Sequence, residues 1–197
     1  EHVNSLGNWL ISQGVQPGDR VAIAMRNYPE WILSYWAILS VGATVVGMNA
    51  WWTGPEMLYA LEDSTPKAII ADEERLATLN SIRAKLANLV VIGVRVPGSP
   101  ADVTPWSDVI ADPTPLPEIA IDPDSDACIF YTSGTTGNPK GAQLTHRGCT
   151  TNIWSLMFAA ALQRVLAVQK GLIEADAEPP IPSALVTTPL FHVTANN

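Results

Sequence analysis

The sequence predicts an α/β fold, doubly wound, with mostly parallel sheets carrying helices on both faces. Three observations carry that expectation. Short apolar runs read as buried strands: Val21 to Met25, Thr44 to Met48, Lys67 to Ala71 and Leu89 to Val94. Segments of helical periodicity separate them, and the links between the two are short, as parallel strands with helical crossovers require.

Taken in order, Val3, Leu6 and Leu10 fall on one face of a first helix, and Gly14 is placed to end it. Pro17-Gly18-Asp19 marks the turn into the first strand. Asn27 is expected to cap the next helix, with Pro29 inside its first turn. That helix runs to about Val41. It is apolar nearly all round, through Trp31, Ile32, Leu33, Tyr35, Trp36, Ile38 and Leu39, and is expected to be sandwiched in the core. Thr53-Gly54-Pro55-Glu56 is a capping box opening a third helix. Asp72 to Leu86 reads as an amphipathic helix.

From Val96 to Asp126 the chain is rich in aspartate and proline (Pro97, Pro100, Pro105, Pro113, Pro115, Pro117 and Pro123). We read 96–126 as an extended connection over the surface, between a first α/β unit at 1–95 and a second at 127–197. The second unit opens with a strand, Ala127 to Thr132, followed by a glycine-rich loop and a strand from Ala142 to Thr145. A long helix then spans roughly Gly148 to Val168, and Pro179-Pro180-Ile181-Pro182 is a rigid link into a last strand, Ala184 to Thr188. There is no internal repeat.

Of the 197 residues, 47% are hydrophobic and 15% charged, so a core is easily supplied and disorder is disfavoured. The net charge of -8 argues against a nucleic-acid partner, which needs basic patches. Cys128 and Cys149 have neither a disulfide framework nor metal-ligand spacing, and read as reduced, packed side chains. No signal peptide opens the chain. No transmembrane segment is expected, because the apolar stretch from Ile153 to Val168 is interrupted by Gln163 and Arg164. The expected location is cytoplasmic, with peripheral membrane association left open. A homodimer is one open oligomeric arrangement. The chain begins inside a helical pattern and stops after a strand and its loop, so both ends read as cuts.

The chemistry concentrates in Tyr131-Thr132-Ser133-Gly134-Thr135-Thr136-Gly137-Asn138-Pro139-Lys140-Gly141. Glycines let several backbone N–H groups converge on one concave spot. The hydroxyls add donors or a ligand for a phosphate-bound Mg2+, and Lys140 adds a point positive charge. In open α/β sheets ligands sit beyond the carboxyl ends of strands, where this loop falls. Triphosphate binding suits that mixture, and the global charge does not oppose it. A Walker-type loop fits poorly, because Pro139 takes its second glycine slot and Gly141 follows the lysine. A dinucleotide fingerprint fails on the spacing of Gly134 and Gly137. A plain Ser/Thr-rich surface loop would not need lysine, proline and four hydroxyls together after a buried strand.

The unbroken run from Thr132 to Gly141 resembles the signature of the adenylate-forming enzymes. These include acyl-CoA synthetases, 4-coumarate ligases, beetle luciferases and the adenylation domains of peptide synthetases. Ala142-Gln143-Leu144-Thr145-His146 is similar to that family's continuation. So are Asn27-Tyr28-Pro29-Glu30-Trp31 and Ala37 to Ala43 upstream, and Pro189-Leu190-Phe191-His192 downstream. Two departures stand out: Ala50 replaces the proline usual after Leu-Asn, and Ala195 replaces a glycine usual after the histidine.

The resemblance implies ATP- and Mg2+-dependent activation of a carboxylic acid, in most members followed by transfer to a thiol, that of coenzyme A in the ligases. It implies that Thr132, Ser133, Gly134, Thr135, Thr136, Gly137 and Lys140 hold the β and γ phosphates, with Thr136 toward the metal. It places His192 near the carboxylate and α-phosphate, so Lys140 and His192 are the expected catalytic side chains. His146 is expected to be a helix-start residue and His2 a surface one. No mechanism attaches to Trp51-Trp52. The family's adenine motif, hinge and C-terminal domain are absent from these residues, so the chain alone is expected not to turn over. An acyl-CoA ligase acting on a fatty acid is the favoured reading. A peptide-synthetase adenylation domain, a luciferase-like oxygenase and a non-catalytic nucleotide-binding or interaction module remain open beside it. A P-loop ATPase is disfavoured by Pro139 and Gly141.

Overall fold

The computed structural model describes residues 1–86, 88–98, 100–132, 138–178 and 185–192. Its centre is a parallel sheet built from the apolar runs. The strands are β1 (Arg20–Ala24), β2 (Thr44–Gly47), β3 (Ala68–Asp72), β4 (Val90–Val94) and β6 (Asp126–Thr132), with a short β5 (Thr104–Pro105). These pair in parallel, and β7 (Lys140–Thr145) closes the row antiparallel to β6. The order across the sheet is β5-β4-β3-β1-β2-β6-β7. Strands in the middle of such a sheet are covered on both sides, which is why Val21, Ile23, Val45, Ile69 and Ile70 tolerate no water. Fully burying each such side chain is worth about 1.5–3 kcal/mol.

One face carries α1 (His2–Ser12), α2 (Pro29–Ser40) and the single-turn α5 (Trp106–Val109) over Val21, Ile23, Val45 and Ile70. The other carries α3 (Gly54–Ser64) and α4 (Glu73–Asn80) over Ala22, Val46, Ile69 and Val91. Neighbouring residues along each strand thus feed opposite cores, as a period of two demands. α3 begins with the expected capping box, Glu56 accepting from the Thr53 N–H at 2.8 Å. α2 ends in a Schellman motif, the Gly42 N–H donating to Leu39 and the Ala43 N–H to Ile38. Gly42 has φ +73°, and a Cβ there would lie 3.1 Å from Pro17, so both the conformation and the space require glycine.

Several expectations need correction. Asn27 does not cap α2; the N-cap is Tyr28, and the Asn27 side chain is engaged elsewhere. α2 is not sandwiched, since Ile32 and Trp36 are 48% and 52% exposed. The helix expected from Asp72 to Leu86 stops at Asn80, and a 3-10 turn follows at Arg83–Lys85. Asp72 is its N-cap, accepting from the Arg75 N–H at 3.0 Å. The connection at 96–126 is not wholly irregular, because β5 extends the sheet and α5 packs under it. Further along it, Leu116 fills the space beside Gly7, and the Thr114 carbonyl accepts from Asn8 at 2.7 Å. Strands on both sides of this connection lie in one sheet. Residues 185–188 form no strand; residue 184 and the link at 179–182 lie outside the described residues.

The long helix, α6 (His146–Gln169), has 24 residues and none of them is buried. Thr145 caps it, accepting from the Gly148 N–H at 3.1 Å. Ile153, Trp154, Leu156, Met157, Phe158 and Leu162 all stand exposed along it. By length and composition it is apolar enough to cross a membrane, Gln163 and Arg164 notwithstanding.

Candidate functional site

β1, β2, β3 and β6 are parallel, so their carboxyl ends lie on one edge. At that edge come Arg26 and Asn27 after β1, Ala50 and Trp51 after β2, and Thr132 at the end of β6. A ligand reaching this edge meets loop backbone and side-chain ends instead of paired strand groups.

The edge is held by a buried ion pair. Asp72 and Arg75 are only 4% and 3% exposed. The Arg75 guanidinium donates to both Asp72 carboxylate oxygens, at 3.2 and 3.1 Å, and through Nε to the Ala50 carbonyl at 2.7 Å. Asp72 Oδ2 also accepts from the Arg26 N–H at 3.0 Å. One pair therefore ties together the ends of β1, β2 and β3. Burying two charges is tolerable because each group keeps further hydrogen bonds, the carboxylate from the Arg26 and Arg75 N–H groups and the guanidinium to the Ala50 carbonyl.

The signature loop is strung between β6 and β7. Thr132 pairs with Lys140 across the two strands, and the Thr132 hydroxyl donates to the Lys140 carbonyl at 3.3 Å. Both residues are exposed. Tyr131, just before them, donates from its hydroxyl to Asp63 at 2.7 Å and meets Trp52 edge-on at 5.5 Å. Burial, with the Asp63 carboxylate, pushes its phenol up, so it stays a neutral donor. On β7, Gly141 is needed for close packing, since a Cβ there would stand 2.8 Å from Ile129. Ser133, Gly134, Thr135, Thr136 and Gly137 lie outside the described residues.

His192 arrives at the same edge from the far end of the chain. Residues 189–192 form a turn in which the His192 N–H donates to the Pro189 carbonyl at 3.0 Å. Leu190 and Phe191 are buried, and His192 itself is exposed. The Phe191 carbonyl packs against Gly47, where a Cβ would come within 3.3 Å of it and 2.8 Å of Phe130. Gly47 pairs with Phe130, two residues before Thr132, so the turn carrying His192 sits beside the strand that feeds the loop. Phe191 meets Trp51 edge-on at 5.2 Å. A cavity of about 280 Å3 opens there, lined by Arg26, Asn27, Ala50, Trp51, Pro189 and Phe191.

The structure thus brings Thr132, Lys140 and His192 to one edge. His146 lies elsewhere. It opens α6, lines a separate cavity with Trp31 and Cys149, and burial lowers its pKa. Burial likewise pushes the Cys128 thiol up to about 12, which fits a packing role and not a nucleophile. Among the described residues no cluster of His, Cys, Asp or Glu is set to hold a metal.

Fold and edge define an α/β domain whose mostly parallel sheet gathers Thr132, Lys140 and the His192 turn at its carboxyl edge. The sequence pattern of the AMP-binding enzymes matches residues 1–196, and the chain belongs to the AMP-binding enzyme family. It is 33% identical over 193 residues to a feruloyl-CoA synthase of an Amycolatopsis species, covering 98% of this chain and 33% of that protein. It is 32% identical over 191 residues to an oxalate–CoA ligase of Arabidopsis thaliana, covering 93% and 33%. Among solved structures, an anthranilate CoA ligase in complex with anthranoyl-AMP superimposes with a TM-score of 0.70 at 31% identity, covering 74% of this chain and 28% of that one. The chain spans about a third of the length of the curated relatives it matches.

Proposed function

We propose that this chain is the phosphate-binding part of an AMP-forming acid–thiol ligase. The observation that carries the reading is the convergence of Thr132, Lys140 and the His192 turn at the carboxyl edge of the sheet. In the proposed reaction a substrate carboxylate oxygen attacks the α-phosphorus of ATP. The bond to the bridging oxygen breaks and pyrophosphate leaves. The thiol of coenzyme A then attacks the acyl carbon, and AMP departs with the bonding pair. A phosphate-bound Mg2+ supplies neutralisation of the polyanion.

The residues of this chain would solve the electrostatic part. Lys140 would offset the charge on the β and γ phosphates, and the hydroxyls and backbone N–H groups from Thr132 to Gly137 would complete the cradle, with Thr136 as the residue that would hold the metal. His192 faces the carboxylate and the α-phosphate. The favoured acid is a fatty acid. The isolated 197 residues are proposed to bind nucleotide weakly and not to turn over.

The test is an assay of the polypeptide carrying these residues at its relatives' full length. Fatty, aromatic and dicarboxylic acids would be supplied with ATP, Mg2+ and coenzyme A. Acid-dependent release of AMP and pyrophosphate with a thioester product is expected, strongest with a fatty acid. Release of ADP, or turnover indifferent to the acid, would refute the ligase reading. Acyl-CoA formation by the 197 residues alone would refute the proposed inactivity.

A further inference from the structure

Asn27 is placed where a helix cap is expected and is not one. Its side chain instead reaches the far end of the chain. Asn27 Nδ2 donates to the Thr188 carbonyl at 2.9 Å, and its Oδ1 accepts from the Leu190 N–H at 2.8 Å. Both ends of one amide therefore grip the backbone on either side of Pro189, at sequence separations of 161 and 163. Pro189 has no N–H of its own, so between Thr188 and Leu190 the amide uses the one acceptor and the one donor that flank it.

The grip is only as firm as its base, and the base is fixed on both sides. The Arg26 N–H is held by buried Asp72. Tyr28 lies under the Arg95 guanidinium, 4.1 Å from the ring centroid, while Arg95 makes two hydrogen bonds to Glu30, at 3.1 and 3.0 Å. What the amide holds is the start of the turn that ends at His192. Residues 185–188 are exposed and belong to no strand or helix, so the sheet does not otherwise fix where this turn begins.

We propose that Asn27 is a positioning residue for His192. Its amide clamps Thr188 and Leu190, so that Phe191 lands on Gly47 and Trp51 and His192 faces the edge that carries the loop. Side chains that orient a reacting centre act in this way without touching substrate. The catalytic half of the inference rests on the ligase reading above; the clamp itself does not.

Two variants and two readouts test it. Amide hydrogen exchange of the 185–192 segment reads the clamp with no reaction required. Asn27→Ala should speed exchange at Leu190 and His192 at least about tenfold. Asn27→Asp keeps the acceptor for the Leu190 N–H but loses the donor to Thr188, and should fall between. Asn27 is exposed, so both variants should keep the exchange pattern of β1 to β4. Unchanged exchange in the 185–192 segment would overturn the clamp.

In the full-length polypeptide, Asn27→Ala should lower kcat/KM for the acid by about the factor seen for His192→Ala. The double variant should be no worse than His192→Ala alone, because the two act as one unit. Additive losses would overturn the positioning role, as would full activity in Asn27→Ala. Full activity in His192→Ala would instead remove the proposed role of His192, and the exchange result would still stand or fall with the clamp.

Discussion

Replacing Asp72 by alanine is the sharpest test of how the edge is built. The carboxylate accepts from the Arg26 N–H, the Arg75 N–H and the Arg75 guanidinium, all between 3.0 and 3.2 Å. Its loss leaves a guanidinium that is 96% buried with the Ala50 carbonyl and the exposed Glu74 carboxylate as remaining partners. Breaking a buried pair from one side costs about 3–5 kcal/mol. Losing the α4 cap adds about 1 kcal/mol, though the two are not separable at one residue. Against a total stability of about 5–15 kcal/mol, that is about a quarter or more. With a urea m-value of about 2 kcal/mol/M, the midpoint should fall by roughly 2 M. Equilibrium urea unfolding followed by tryptophan fluorescence measures it. The double change Asp72→Leu with Arg75→Met should be less costly than Asp72→Ala, because it buries no orphan charge. A loss below about 1 kcal/mol for Asp72→Ala would refute the claim that this pair ties the strand ends together.

Gly47→Ala would push a methyl to 2.8 Å from the Phe130 ring and 3.3 Å from the Phe191 carbonyl. A destabilisation of about 1–3 kcal/mol is expected, lowering Tm by roughly 2–4 °C per kcal/mol. Burial raises the Cys128 thiol from its ordinary 9.0 to about 12, so the folded state keeps a proton that the unfolded chain releases. That contribution is complete below pH 9 and is lost as pH climbs toward 12; Cys128→Ala should flatten the fall in urea midpoint across this window. Native Cys128 should also resist alkylation at neutral pH. The exposed apolar side chains of α6 should drive concentration-dependent association of the isolated chain, seen by sedimentation velocity. Phe158→Glu with Leu162→Lys should reduce it.

Local pattern sufficed where the determinants are local. The apolar runs became strands, Thr53 and Glu56 became a capping box, and Gly14 took up positive φ just past α1. The expectations that failed involve distant partners. Asn27 is chemically fit to cap α2, and nothing nearby reveals that Thr188 and Leu190 compete for it. Asp72 caps α4 and Arg75 lies in its first turn, but their value lies in Arg26 and Ala50, which the fold alone brings close. An Asp at a strand end and an Arg three residues on was the available signal, and its reading as part of an amphipathic helix concealed it. The apolar circumference of α2 did not mean enclosure, because Ile32 and Trp36 stand out of the core. Of the loop read from its residues, Thr132 and Lys140 stand with His192 at one edge, while 133–137 lie outside the described residues.

The place of β6 in the sheet has a consequence for the order of assembly. β1 meets β2 with Arg20 opposite Thr44 and β3 with Val21 opposite Ala68, but β2 meets β6 with Val45 opposite Cys128. About 80 residues must therefore be closed before β2 gains its second neighbour, and long loops are slow to close. At a synthesis rate of about 5–20 residues per second, the outer edge of β2 waits roughly 4–16 s on the ribosome for its partner. Pulse-labelled exchange during refolding should find β1, β3 and β4 protected before β6 and β7. Simultaneous protection of all five would show instead that the sheet forms in one step. The strand that delivers the signature loop is thus expected to join a platform already laid down.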